Sequence, residues 1–186
     1  LIIGDFITDI YVHGTVSTCQ EGCPKIMEEH RMTVPGVAAN AARTLEHWSA
    51  KVSLFTPPLG PYKTRFMDGN KCVFRMDDDR PGRTTQNFDT YRGEAMRALL
   101  SKARRPDAVL LSDYDKGMLS EQFIANVAQV CDRRGIPCVA DCKRNMRLYQ
   151  GCIMKGNQSY WGSYPLPNDA VATCGAERPS VGMGIV

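Results

Sequence analysis

The sequence predicts an α/β domain: a doubly wound, mostly parallel sheet with helices on both faces. Three observations predict it. Apolar strand-like runs alternate with amphipathic helical segments along most of the chain. The connections between them are short, which argues for βαβ units. Polar residues gather just after the strand-like runs, at Asp5 and Asp9, at 113–116, at 141–143 and at 155–157. Open parallel sheets bind ligands beyond the carboxyl ends of their strands, so this recurrence points to a single site.

Taken in order, "LIIGDFITDIYV" opens as a buried strand and turns polar at Asp5 and Asp9. "VPGVAAN" (34–40) is a Pro-Gly turn followed by small residues at the head of a helix that runs from Ala38 to Trp48. A helix entrance so bare of side chains lets something approach the backbone closely. "KVSLFT" is a strand. Asp68-Gly69-Asn70 lies between two strand-like runs and marks a hairpin. "TYRGEAMRALLSKA" is helical, and "PDAVLLSDYDKG" is a strand that ends in a polar cluster. "SEQFIANVAQVCDRRG" is an amphipathic helix with Ser120 as its cap and Gly135 as its stop. "IPCVADCK", "GCIMKGN" and "DAVATCG" are further strands. Two joins look short: "FTPPLG" runs at once into Pro61-Tyr62-Lys63, and "NQSYWGSYPLPNDAVATCG" leaves little room for a helix. Parallel neighbours need a crossover of a dozen or more residues, so missing pieces of a longer chain are expected at both joins.

Composition bounds the function. A chain of 186 residues, 43% hydrophobic and 23% charged, belongs to a globular domain of ordinary size. A net charge of +3 gives no argument for a nucleic-acid partner and suits a mildly basic cleft for an anionic small molecule. No apolar run approaches the ~20 residues of a membrane helix, and no signal peptide is visible, so a cytoplasmic protein with no membrane partner is expected. Cysteines stand at 19, 23, 72, 131, 138, 142, 152 and 174, several inside apolar strand-like runs. They read as reduced, unpaired thiols. No His lies at zinc-finger spacing from the pairs Cys19/Cys23 or Cys138/Cys142, and no metal ligand is assigned.

Five stretches carry a resemblance: "IIGDFITDIYVHG", "VPGVAANAA", "KTRFMDGNKCVFRMDDD", "VLLSDYDKGML" and "VADCKRNMRLYQGCIMKGN", in this order. Together they resemble the ribokinase-type (PfkB) carbohydrate kinases, most of all the heptose 7-phosphate kinase branch of lipopolysaccharide-precursor synthesis. The resemblance implies a ribokinase-like sheet domain with a small β lid, whose strands would come from about 11–34 and 63–76, and a possible homodimer through that lid. It implies one domain over 1–186, incomplete at its C-terminal nucleotide-binding part, with ATP and Mg²⁺ as cofactors and a sugar phosphate as substrate. Asp5 and Asp9 would accept sugar hydroxyl hydrogens, and Gly36 and Asn40 would contact the sugar. Arg65 and Arg75 would hold a substrate phosphate. Lys116 would face substrate and phosphates, Lys143 the nucleotide, and Asn157 the magnesium and phosphate waters. The residues agree on their own chemistry: Gly lets backbone N–H groups reach a ligand, Asn both donates and accepts, and Arg holds phosphate bidentately.

The chain departs from the family pattern at three places. Val37 stands where a second glycine is usual, and its branched Cβ restricts the backbone. If a sugar binds, Val37 is expected to turn its methyls inward, and Val37→Gly would then lower stability by up to ~1–3 kcal/mol. Tyr160 replaces the Glu of the Asn-x-x-Glu motif. The Gly-Ala-Gly-Asp segment, with its anion hole and general-base Asp, is absent before Val186, so no catalytic residue is assigned within the chain. Two functions are expected from this pattern: an ATP-dependent sugar kinase, or a catalytically inactive kinase-like binding or scaffold module.

Overall fold

The computed structural model describes residues 1–78, 87–143, 146–157 and 171–173. In chain order the described elements begin with β1 (Ile2–Gly4), β2 (Thr8–Thr18), β3 (Pro24–Pro35), α1 (Ala38–His47) and β4 (Leu54–Phe55). They continue with β5 (Tyr62–Asp68), β6 (Lys71–Asp78), α2 (Phe88–Leu100), β7 (Val109–Asp113), α3 (Glu121–Arg134), β8 (Cys138–Cys142), a 3₁₀ turn (Met146–Tyr149), β9 (Ile153–Asn157) and β10 (Val171–Thr173). The chain divides into two compact units. The first holds 1–5, 37–57 and 87–186, and the second holds 6–36 and 58–86.

The first unit is built on a parallel sheet of order β10-β9-β8-β7-β1-β4. Its strands read as short apolar runs because both faces are covered. On one face Ile3, Val109, Leu111 and Ala140 pack with Leu99 of α2 and Phe123, Ile124, Val127 and Cys131 of α3. On the other, Ile2 and Leu110 meet Ala38, Ala42 and Leu45 of α1. Neighbouring residues of β1 and β7 thus serve opposite layers, as the period of a strand requires.

Local signals set the helix ends. Asn87 Oδ1 accepts the Asp89 N–H at 3.0 Å and starts α2, two residues before the stretch read as helical. Ser120 Oγ accepts the Phe123 N–H at 3.3 Å, and α3 stops at Gly135 in the left-handed conformation, both as expected. The described cysteines are all free thiols.

The second unit is a four-stranded sheet of order β3-β2-β5-β6. Strands β2 and β3 run antiparallel, β2 and β5 parallel, and β5 and β6 antiparallel around the Gly69-Asn70 turn. Two expectations are corrected here. Asp9 does not follow the first strand with Asp5: the chain leaves the parallel sheet after Gly4, and Asp9 lies on β2, which starts in the other sheet at Thr8. The join at 56–61 needs no crossover helix, because β5 pairs with β2 and not with a strand of the parallel sheet. The Thr8 N–H donates to the Pro61 carbonyl at 2.8 Å and closes that join. The second short join, at 158–170, lies outside the described residues.

Candidate functional site

All strands of the first sheet point the same way, so their carboxyl ends share one edge. Asp5 follows β1, the segment 114–118 follows β7, Lys143 follows β8, and Asn157 closes β9. The segment 114–118 is braced from three directions. Asp5, 1% exposed, accepts the Tyr114 and Lys116 N–H groups on Oδ2 at 2.8 and 3.1 Å and the Met118 N–H on Oδ1 at 3.0 Å. Arg92 of α2 donates to the carbonyls of Met118 and Gly117 at 2.9 and 2.6 Å. Asp113 Oδ1 accepts the Asp115 N–H at 2.8 Å, and its Oδ2 accepts the buried Tyr149 hydroxyl. The turn demands unusual backbone: Asp115 has φ +58° and Gly117 φ +101°, with the Phe88 ring where a side chain on Gly117 would go. Burial pushes the Asp5 carboxyl above its ordinary value of 3.8. The backbone donors of Tyr114, Met118 and Lys116 oppose that rise, and Asp113 adds to it.

This corrects the reading of Asp5 as a sugar ligand. Both of its oxygens accept from backbone donors and the residue is buried, so it organises the segment that carries Lys116. Lys116 itself is half-buried, and the Tyr114 ring lies 5.0 Å from the Lys143 ammonium. The Lys143 N–H donates to the Asp113 carbonyl at 3.0 Å, which draws the ends of β7 and β8 together. On the next strands Asp141 and Lys155 are register partners, with Nζ 3.0 Å from Oδ2. Asp141 Oδ1 is buried with no hydrogen-bond partner among the described residues.

The α1 helix begins at Ala38, as read from the sequence. The N-cap is Val37, which offers no capping side chain, and Asn40 sits inside the first turn. Asn40 is exposed, and its Oδ1 accepts from Arg43 at 3.1 Å. Val37 has φ 54° and ψ −117°, a conformation that suits glycine and strains a β-branched residue. Val37 thus adopts a backbone that glycine takes most readily.

Gly36, Asp9, Arg65 and Arg75 belong to the second unit. The Gly36 N–H donates to the Ile7 carbonyl at 2.8 Å, and a Cβ on Gly36 would collide with Asp9 Oδ2. Asp9 Oδ1 accepts from Arg65 at 2.5 Å, and the Arg65 guanidinium also lies 5.3 Å from the centre of the Tyr11 ring. Arg65 and Arg75 are direct cross-strand partners. Arg75 grips Asp77 with a two-pronged contact at 2.7 and 2.5 Å. Each predicted phosphate ligand thus holds a carboxylate, which an incoming phosphate would have to displace.

Sequence reasoning placed Asp113, Asp141 and Lys155 in its polar clusters without giving them a role, and it missed Arg92 and Tyr149. "SDYDKG" was visible as a polar cluster, yet nothing local marks Arg92 or Tyr149 as its braces. Tyr160 lies outside the described residues.

No family model matches the chain. The bifunctional protein HldE of Azorhizobium caulinodans is 28% identical over 190 residues, spanning 82% of this chain and 38% of that protein. HldE of Bradyrhizobium sp. is 27% identical over 183 residues, spanning 81% and 37%. The chain is similar to HldE and has a ribokinase-like fold. It spans well under half the length of the curated relatives it matches. Its fold is that of Escherichia coli phosphofructokinase-2, solved in complex with fructose-6-phosphate, with a TM-score of 0.58 at 12% identity over 90% of this chain and 65% of that one. The resemblance read from the five stretches stands, and so does the ribokinase-like α/β fold.

Proposed function

We propose that this chain belongs to an ATP-dependent sugar-phosphate kinase of lipopolysaccharide-precursor synthesis, with heptose 7-phosphate as its substrate, and supplies sugar contacts and part of the nucleotide site. The observation that carries the reading is the braced segment 114–118. Three anchors hold the segment that carries Lys116, and its Tyr114 ring lies 5.0 Å from the Lys143 ammonium at the carboxyl edge of a parallel sheet. Phosphoryl transfer depends on positioning and charge stabilisation, and a rigid cationic edge supplies both. The phosphorus–oxygen bond to ADP breaks, a new one forms to a sugar hydroxyl, and the hydroxyl proton leaves to a base. Lys143 and Lys116 would meet the phosphates. Asn157 and the buried, unpartnered Asp141 Oδ1 would face the waters of a Mg²⁺ ion, which neutralises phosphate charge when bound. Asp9, Gly36 and Asn40 would contact the sugar, and Arg65 and Arg75 its phosphate. The HldE relatives support the branch, and the use of ATP as co-substrate supports a cytoplasmic location. Exposed Phe74 and Met76 lie on one face of β6 and support a homodimer through the second sheet.

A second reading, a kinase-shaped binding module without chemistry, is favoured by one observation: strained Val37 stands at the helix entrance. ADP release by the complete gene product, supplied with ATP, Mg²⁺ and either heptose 7-phosphate or fructose 6-phosphate, separates the two. The kinase reading expects turnover with heptose 7-phosphate, and Lys143→Ala should raise the KM for ATP roughly tenfold by removing a charge-assisted contact. Nucleotide binding without ADP release on either sugar would establish the binding module instead.

A further inference from the structure

The β2–β3 hairpin turns over residues 19–23, with Gln20-Glu21-Gly22 between Cys19 and Cys23. The Cys19 N–H donates to the Cys23 carbonyl at 2.9 Å, and the Gly22 N–H donates to the Cys19 carbonyl at 3.0 Å. These bonds fix the two cysteines opposite one another across the turn. The side-chain ligand atoms of Cys19, Glu21 and Cys23 lie within 4.8 Å of one another. In an extended strand the same spacing would set Cys19 and Cys23 ~13 Å apart, so it is the turn that gathers them.

We propose that this hairpin tip binds a thiophilic divalent cation, of which Zn²⁺ is the natural example, through Cys19 Sγ, Cys23 Sγ and a Glu21 carboxylate oxygen. Zinc takes thiolates at ~2.3 Å and carboxylate oxygen at ~2.0–2.2 Å in tetrahedral geometry, so its sulfurs sit ~3.8 Å apart. A grouping within 4.8 Å admits that separation, and these surface side chains are free to rotate into it. The two cysteines match the ligand spacing of zinc sites, and the missing histidine is replaced by a carboxylate from within the turn. Solvent occupies the fourth position, because the tip is open. Thiolate donors select against Mg²⁺ and Ca²⁺, which take oxygen ligands. The site is independent of the phosphoryl-transfer chemistry proposed above.

The test is a titration of the complete protein with Zn²⁺ and, in parallel, with Co²⁺, under a non-chelating phosphine reductant. One equivalent of Zn²⁺ is expected to bind, and Co²⁺ should give thiolate-to-metal charge-transfer absorption. Cys19→Ser and Cys23→Ser should each weaken binding at least tenfold, Glu21→Ala severalfold, and Cys72→Ser, at another exposed thiol, not at all. A wild-type protein with no charge-transfer band overturns the site, whatever the variants do. So does equal zinc uptake by the wild type and the Cys19→Ser/Cys23→Ser double variant, or displacement of the metal by equimolar Mg²⁺.

Discussion

At Val37 the side chain and the backbone make opposite demands. A φ of 54° with ψ −117° costs a β-branched residue about 1–3 kcal/mol of strain. Glycine would relieve it, at about 0.4–1 kcal/mol for added freedom of the unfolded chain and about 1 kcal/mol for the half-buried methyls lost. The loss of up to ~3 kcal/mol that burial alone suggests is therefore offset. Val37→Gly should leave stability unchanged within about 1 kcal/mol or raise it slightly. Urea denaturation of the two proteins decides this, and a loss of 2 kcal/mol or more would refute the strain argument. Nothing in "VPGVAAN" discloses a positive φ at Val37, because the conformation is imposed where β3 must hand over to α1. The likeness to a two-glycine loop was the one sequence signal for it.

At the scale of an element, the segment 114–118 depends on Asp5 more than on its own residues. In Asp5→Asn one acceptor oxygen becomes an NH₂ that faces backbone donors. The substitution should cost about 1–3 kcal/mol, the usual penalty for a buried donor left unpaired. The pH dependence has a definite sign. The folded state holds the Asp5 proton more tightly than the unfolded chain does, because burial raises its pKa above 3.8. Its contribution to stability is therefore fully present below 3.8 and is lost as pH rises through the raised folded value. The stability gap between wild type and Asp5→Asn should accordingly narrow on going from acid to neutral pH. A gap that widens over that range, measured by denaturant unfolding at several pH values, would contradict the burial argument. The polar clusters at strand ends were legible because they are local in sequence. The bonds from Asp5 to Tyr114, Lys116 and Met118 were not, since they close loops of 109–113 residues.

At the scale of the whole molecule, each unit is assembled from separate stretches of chain, and the second is a thin sheet with a poorly covered face. Phe74 is 61% exposed and Met76 50%, and the Phe66 and Phe74 rings pair at 5.8 Å on that face. Apolar area left open on an edge strand favours self-association. Light scattering should find a dimer of the complete protein, and Phe74→Glu should shift it to the monomer mass. A wild-type monomer at tens of micromolar would rule out a homodimer through this sheet. The sequence by itself determined what is local and periodic: the alternation of strands and helices, the Ser120 cap and Gly135 stop of α3, the turn at Gly69-Asn70, and the polar residues gathered after each strand. Tertiary structure alone decided which sheet each strand joins. It parted Ile3 from Thr8, sent β5 to β2, closed Asp9 onto Arg65 and turned Asp5 from a candidate ligand into a brace. Hydrophobic periodicity says that a strand has a buried face, but not which distant strand will cover its edge, and that choice is made only when the whole core packs.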